Sequence, residues 1–326
     1  MEVAEAIVGI LQEDKAISAQ LIHLDEFLKE MTSNSAPPYD ACINFAYGEH
    51  GRFHLGSAPM KLDSVGIPNF GSDPLQMLLA RNKKQTKSIA QSLGLKTTRD
   101  LFIDRYTRHL IPHMSSKLLP VIVKPNEGAA GLGMENHIYR SSQEAIDRIR
   151  FVLEAYPEGI LIEKFVPGHD VTVAALSDLK RVDVFAYIQR DKDGGELPLT
   201  YMNAFTENIN AVERGTRIWH EMAKHAPPDI VSEACEQTRI LVTSLRIAGY
   251  VRADFRLSEN GCLIFLELNG QAGMNLKSSI ILQIGKDHFN DRLGFLRQFS
   301  ETAVSFFQYA ASLRSTKSEH RWSHQR

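Results

Sequence analysis

The chain has 326 residues, 43% hydrophobic and 23% charged, with a formal net charge of −2. This is enough apolar material for a large core spread over two or three subdomains, and the near-neutral balance gives no reason to expect nucleic acid or an anionic membrane as partner. No apolar run approaches the roughly 18 residues of a membrane span. Three cysteines, Cys42, Cys235 and Cys262, stand far apart without metal-ligand spacing, which predicts a reducing, cytoplasmic setting.

Residues 1–31 predict helix: Ile7, Ile10 and Leu11 share a face, and Ile22, Leu24, Phe27 and Leu28 continue it. The opening MEVAEAIVGILQEDK is acidic and amphipathic, unlike a signal peptide. Pro37-Pro38 breaks the pattern. Cys42 to Ala46 predicts a short buried strand running into the Gly-bounded loop Tyr47-Gly48-Glu49-His50-Gly51. Leu62 to Ser72 predicts a helix end, a short strand and a turn. Leu78 to Leu93 predicts one helix stopped by Gly94, with Lys83 and Lys87 four apart on one face, a spacing more usual for solvated charges.

Leu119 to Pro125 predicts a buried strand ending in Lys124, a point charge at a strand mouth. It runs directly into Asn126-Glu127-Gly128-Ala129-Ala130-Gly131-Leu132-Gly133, whose glycines can present successive amides to an oxyanion. No Gly-Lys-Ser/Thr comes after it, so this is not a Walker loop. Ser141 to Tyr156 predicts a helix opened by a capping box of Ser141 and Glu144. Ile160 to Val166 predicts a strand leading into a polar linker, Pro167 to Asp170. Val171–Leu176 and Val182–Gln189 predict an antiparallel pair. A strand, hinge and strand with Glu163 and Asp170 on either side can clamp a base and a ribose, though each residue alone is more often a surface one. The polar stretch 191–214 predicts a loop over a site, Pro228 to Ile247 an amphipathic helix, Phe295 to Leu313 a closing helix, and 315–326 a frayed polar tail.

Gly249 to Gly273 predicts a hairpin turning at Ser258-Glu259-Asn260-Gly261. Alternation puts Ala253, Phe255, Leu257, Ile264, Leu266 and Leu268 on one apolar face. The other face carries Arg252, Asp254, Glu267 and Asn269, and a symmetric turn places Arg252 opposite Glu267. Two carboxylates and a carboxamide oxygen beside a guanidinium suit magnesium, whose remaining positions go to phosphate and water. An isolated Asp-x(12)-Glu-x-Asn is more often a solvated strand face with a surface ion pair.

In order, the stretches GIPNFGS, NKKQTK, VIVKPNEGAAGLG, ILIEKFVPGHDVTVA, GYVRADF and FLELNGQAGM resemble the ATP-grasp superfamily, in its D-alanine–D-alanine ligase-like branch, from about Ile43 to Ser278. The resemblance implies an α/β (α+β) ATP-grasp fold of three subdomains with ATP between the central and C-terminal ones. Their expected bounds are 1–75, 76–170 and 171–314, with a tail at 315–326. It implies that Lys83 and Lys124 contact the nucleotide phosphates and that Gly128, Ala129, Ala130 and Gly131 lie in the loop closing over them. Glu163, Lys164, Val166 and Asp170 would form the adenine and ribose clamp. Asp254, Glu267 and Asn269 would hold Mg2+, or Mn2+. Arg252 would support the transferred phosphate, and Ser278, after Gly273 and Met274, would hold the carboxylate of a second amino acid. The implied activity is ATP-dependent joining of a carboxylate to an amine on small amino-acid substrates, with a homodimer common in the branch. A nucleotide-binding module without ligation would use the same cleft. The chain departs from the branch in its helical start, in Ala129-Ala130 where paired serines are usual, and in lacking a Lys-Tyr signature between Thr200 and Arg214. These departures fall on the amino-acid pocket and point away from D-alanine joined to D-alanine.

Overall fold

Asp14 ends the first helix early. Its side chain accepts from the amide of Ala16 at 2.9 Å, a local bond that competes with helix. In this computed structural model, which describes residues 2–30, 39–45, 54–127, 137–191, 217–270, 272–274 and 279–319, the expected N-terminal helix is therefore two: α1 (Glu2–Leu11) and α2 (Leu24–Glu30). Next are β1 (Cys42–Ile43), α3 (His54–Ser64) and β2 (Asn69–Phe70), with β1 and β2 parallel.

The helix expected over 78–93 is also two, α4 (Pro74–Arg81) and α5 (Lys83–Ser92), because Asn82 is extended and caps the second by accepting from the amide of Gln85 at 3.0 Å. The reciprocal capping box lies at Asp73 and Gln76, opening α4. Then come β3 (Asp100–Ile103), β4 (Val121–Pro125), α6 (Ser142–Ala155) and β5 (Ile160–Lys164). Ser141 caps α6 through the amide of Glu144. The strands form an antiparallel sheet ordered β3-β5-β4, whose core with α6 includes Ile103, Val121, Val123, Ile149, Val152 and Ile162.

The second sheet is ordered β10-β9-β6-β7-β8, from β6 (Gly168–Ser177), β7 (Val182–Asp191), β8 (Arg217–Glu221), β9 (Gly249–Ser258) and β10 (Leu263–Asn269). Between β8 and β9 runs α7 (Pro228–Ser244); after β10 come α8 (Ile281–Phe289) and α9 (Gly294–Glu319). β6 alternates between two cores. Val171, Val173 and Ala175 join Leu241 and Val242 of α7, while Ala174 and Leu176 join Ile7 of α1, Ile284 of α8 and Phe299 of α9. A strand buried on both faces reads as an unbroken apolar run, as Val171 to Leu176 does apart from Thr172. Gly168, at φ +136°, begins β6 so close to β9 that a Cβ there would lie 2.0 Å from the Leu257 carbonyl oxygen, so only glycine fits.

The hairpin differs from its expected form at both ends. The amide of Ser258 donates to the Cys262 carbonyl and that of Gly261 to the Ser258 carbonyl, each at 2.9 Å, with Gly261 at φ +74°. The turn is thus a three-residue loop, Glu259–Gly261, closed by a left-handed glycine. Further along, the register slips between Phe265 and Glu267, so that Glu267 faces Asp254 and Asn269 faces Arg252. Arg252 is not opposite Glu267, and Ile264 and Leu266 are not core. The buried side chains of β10 are Leu263, Phe265 and Leu268. Leu266 is the extra residue of a β-bulge, and a bulge re-aims the side chains beyond it. Without it, strict alternation from Phe265 would turn Glu267 into the apolar core.

Residues 46–53, 128–136, 192–216 and 320–326 lie outside the described residues. With them go the loop at Tyr47 to Gly51, the phosphate-loop residues Gly128, Ala129, Ala130 and Gly131, nearly all of the loop expected over 191–214, and most of the expected tail. The first residues of that tail, 315–319, continue α9. Among the described residues no helix is long and apolar enough to cross a membrane.

Candidate functional site

Three lysines occupy the first five residues of α5, at the helix end that favours anions. What offsets them lies across the chain. Asp100 on β3 and Glu163 on β5 are direct ladder partners, a pairing of like charges that is unfavourable by itself. Lys87 lies between them. Its ammonium meets Glu163 Oε1 at 2.5 Å and Asp100 Oδ2 at 3.4 Å, and also bonds Thr98 Oγ1. The other oxygen of Glu163 takes Lys124 at 2.7 Å, and the other oxygen of Asp100 takes Lys84. Lys87 is 1% exposed, so the expectation of a solvated lysine is wrong at this position. Burial pushes the Glu163 carboxyl up, but Lys124 and Lys87 outweigh it and hold it at about 2. Burial pulls Lys124 down, and Glu163 and Glu267 more than restore it.

Asn126, just past β4, docks the start of α5. Its carbonyl accepts from the Lys83 amide at 3.0 Å and its side-chain oxygen from the Lys84 amide at 2.9 Å. The segment after α5 then joins β10, where the Phe265 amide donates to the Lys96 carbonyl at 2.8 Å. These ties bring buried Lys83 to Glu267, Nζ to Oε2 3.5 Å. Burial lowers the Lys83 ammonium's pKa, opposed by Glu267.

On the polar side of the hairpin, Asp254 receives Arg252 through two parallel bonds, Nε to Oδ1 at 2.9 Å and Nη2 to Oδ2 at 2.8 Å. Thr172 Oγ1 donates to Asp254 Oδ1 at 2.6 Å and Asn269 Nδ2 to Oδ2 at 2.9 Å. Burial raises the Asp254 carboxyl against the pull of Arg252, with Glu267 adding to the rise. Burial likewise pushes Glu267 up, but Lys83, Lys124 and Arg252 outweigh it. Two carboxylates on facing strand positions beside an amide oxygen are a hard-donor set, and a divalent cation relieves their mutual repulsion. Among the described residues no three His, Cys, Asp or Glu side chains cluster as a metal site. A cation here would need phosphate and water to complete its shell, as magnesium does.

The linker between β5 and β6 is pinned by Arg256, a residue with little to mark it in the sequence. Arg256, 5% exposed, donates from Nε to the Val166 carbonyl at 2.9 Å and from Nη1 to Asp170 Oδ1 at 2.7 Å. Its guanidinium also lies 5.5 Å from the Phe165 ring centre. Asp170 is thus already held by an arginine, and Glu163 points its carboxylate into the lysine array. Lys164 is half-buried, its amide on the Arg99 carbonyl. The period-two run Arg252, Asp254, Arg256 is the available signal for Arg256; Thr172, directly opposite Asp254, has none. Gly273 is exposed and Met274 packs on the core beneath α8 and α9. Ser278 lies outside the described residues. A separate cavity of about 390 Å³ between α1 and α9, lined by Ile10, Leu11, Arg297 and Val304 among others, shares no residue with this site.

The profile of the D-ala D-ala ligase C-terminus family matches residues 90–287. An uncharacterized protein of Sinorhizobium fredii is 24% identical over 290 residues, covering 86% of this chain and 81% of that protein. A D-alanine–D-alanine ligase of Geobacter sulfurreducens is 25% identical over 237 residues, covering 73% and 68%. Among solved structures, the D-alanine–D-alanine ligase of Bacillus anthracis complexed with ATP superposes with a TM-score of 0.68 at 18% identity, over 94% of this chain and 92% of that one. The VanG D-Ala:D-Ser ligase of Enterococcus faecalis gives 0.61 at 16%, over 82% and 73%. At these identities the two structures speak for the fold.

Proposed function

The chain belongs to the D-ala D-ala ligase C-terminus family, within the ATP-grasp superfamily, and from that premise we propose that it joins a carboxylate to an amine at the expense of ATP, through an acyl phosphate. The observation that supports this most is the Lys83–Glu267 contact of 3.5 Å, where buried cations for a phosphate tail meet carboxylates for a metal ion. A carboxylate is a poor acyl donor because its leaving group would be oxide. Attack of its oxygen on the γ-phosphorus releases ADP and leaves an acyl phosphate. The amine nitrogen then attacks the acyl carbon, inorganic phosphate departs, and the nitrogen loses a proton to solvent. Such transfers need positioning and charge neutralisation, and no protein nucleophile.

In this reading Lys83 and Lys124 neutralise the nucleotide phosphates, with the amides of Gly128 to Gly131 closing over them. Lys164 and Val166 border the base and Asp170 the ribose hydroxyls, while Glu163, whose two oxygens go to Lys124 and Lys87, lies behind that wall. Asp254, Glu267 and Asn269 hold Mg2+, which when bound supplies charge to the phosphate oxygens. Arg252, held in plane by Asp254, faces the transferred phosphoryl group. Gly273, Met274 and Ser278 receive the carboxylate of the second substrate. The altered N-terminal region and Ala129-Ala130 favour an amino-acid pair other than D-alanine with D-alanine, in a specialised pathway. The test is a phosphate-release screen across pairs of L- and D-amino acids, with product mass. Release that requires two substrates, and a product lighter by one water than their sum, is expected. ATP binding with no substrate-dependent release refutes ligation and leaves a nucleotide-binding module.

A further inference from the structure

The phosphate-facing lysine and its acid do not form an isolated pair. Glu163 divides its two oxygens between Lys124, at 2.7 Å, and Lys87, at 2.5 Å. Lys87 is 1% exposed and has no route to a ligand. The array of Lys84, Lys87, Lys124, Asp100 and Glu163 carries three cations against two carboxylates. One positive charge is therefore left over, and Lys124 is the cation at the strand end nearest the glycine-rich loop.

We propose that Lys87 is a positioning residue for nucleotide phosphate: by occupying one oxygen of Glu163 it keeps that carboxylate from claiming Lys124 outright, so that Lys124 keeps its place and its field for a phosphate group. This rests on the reading of Lys124 as a phosphate contact. Three features of the geometry carry it. The Lys87 ammonium is fixed by three partners, Glu163, Asp100 and Thr98. Asp100 pulls Lys87 away from Glu163 from the opposite side of the ladder, so the two acids compete for it. Glu163 is buried, so a charge removed from its neighbourhood is not replaced by water.

The competition gives two variants of opposite sign. Lys87→Met leaves Glu163 with Lys124 alone and removes the surplus charge. Asp100→Asn frees Lys87 to serve Glu163 alone, loosening the hold on Lys124. Affinity for Mg-ATP and, by competition, for adenosine, which has no phosphate, is measured by calorimetry on the full chain. Lys87→Met is expected to weaken ATP by about tenfold and leave adenosine unchanged, with Lys87→Arg recovering most of the loss. Asp100→Asn is expected to bind ATP at least as tightly as the wild type. Equal loss of ATP and adenosine in Lys87→Met, or no loss of either, overturns the proposal. Should that variant not fold, weakened ATP binding in Asp100→Asn overturns it by itself. A wild-type protein that does not bind ATP refutes the nucleotide reading first, a result separate from either.

Discussion

Two charged regions meet at Lys83 and Glu267, and they are built by opposite means. Apart from Lys84 at its edge, 40% exposed, the lysine array of α5, β3, β4 and β5 is dry, and nearly every charge in it has its partner inside the protein. Lys87, Asp100 and Glu163 side chains are each at most 4% exposed. The hairpin of β9 and β10 is wetter, with Glu267 at 25% and Arg252 at 36%, and it sets two carboxylates across from one another with one shared arginine. The array contains its own compensation and presents a small surplus. The hairpin presents a deficit, which an added cation corrects. The first is organised by residues far apart in the chain, the second by the eighteen consecutive positions from Arg252 to Asn269 and a bulge.

The sharpest way to break the hairpin without touching its chemistry is to move Glu267 along it. Deleting the unpaired Leu266 would leave Glu267 opposite Asp254, whereas one alanine inserted between Leu266 and Glu267 lets the ladder run through and sets Leu266 opposite Asp254 and Glu267 opposite Arg252. The insertion should abolish ATP-dependent phosphate release, while the Leu266 deletion should keep most of it. An active insertion variant, or a folded but inactive deletion variant, would mean the register at the bulge does not aim Glu267. Glu267→Gln then separates chemistry from fold. It keeps the side chain's shape and removes its charge, so turnover should fall by at least about 100-fold with the melting temperature little changed. Activity like the wild type would remove Glu267 from the metal assignment.

The contrast also explains what the sequence could reveal. Asp254, Glu267 and Asn269 are legible as a group because they share a hairpin. Their register is not, because alternation alone cannot say where a strand takes an extra residue when Phe265 and Leu266 are both apolar. Lys124 and the glycine-rich run behind it are legible for the same local reason. Lys87 is visible only as a lysine one turn after Lys83, and its burial depends on Asp100 and Glu163, thirteen and seventy-six positions away. The helix breaks at Asp14 and Asn82 escape a reading by periodicity because a single polar side chain bonding its own backbone outweighs a loosely apolar pattern.

Acid should separate the two regions on a third scale. The Glu163 carboxyl is held at about 2 in the folded protein, against an ordinary value of 4.5. A group depressed on folding contributes its stability above its unfolded value and loses it as pH falls through the folded one. Between about pH 5 and pH 2 the wild type should therefore lose about 3 kcal/mol through this residue. Glu163→Gln should be less stable at pH 7 and lack that part of the acid limb. Urea titrations of both proteins at pH 5 and pH 2.5 check it, and parallel curves would mean the lysines do not hold Glu163 ionised.

The smallest effect belongs to Arg256, which pins the linker between the two sheets from the edge of the hairpin. Hydrogen bonds to charged groups are worth about 1.5–3 kcal/mol when a partner is stranded dry. Asp170, with its side chain 16% exposed, can recover some water where Glu163, at 4%, cannot. Arg256→Met should therefore cost no more than about 2 kcal/mol, less than the loss of a partner inside the lysine array. Adding Asp170→Asn should return part of that cost, because the stranded carboxylate is gone while the Val166 carbonyl stays unpaired. A cost for Arg256→Met as large as that of Lys87→Met would show that the linker is as dry as the array, and would erase the difference between the two regions from which their separate roles are argued.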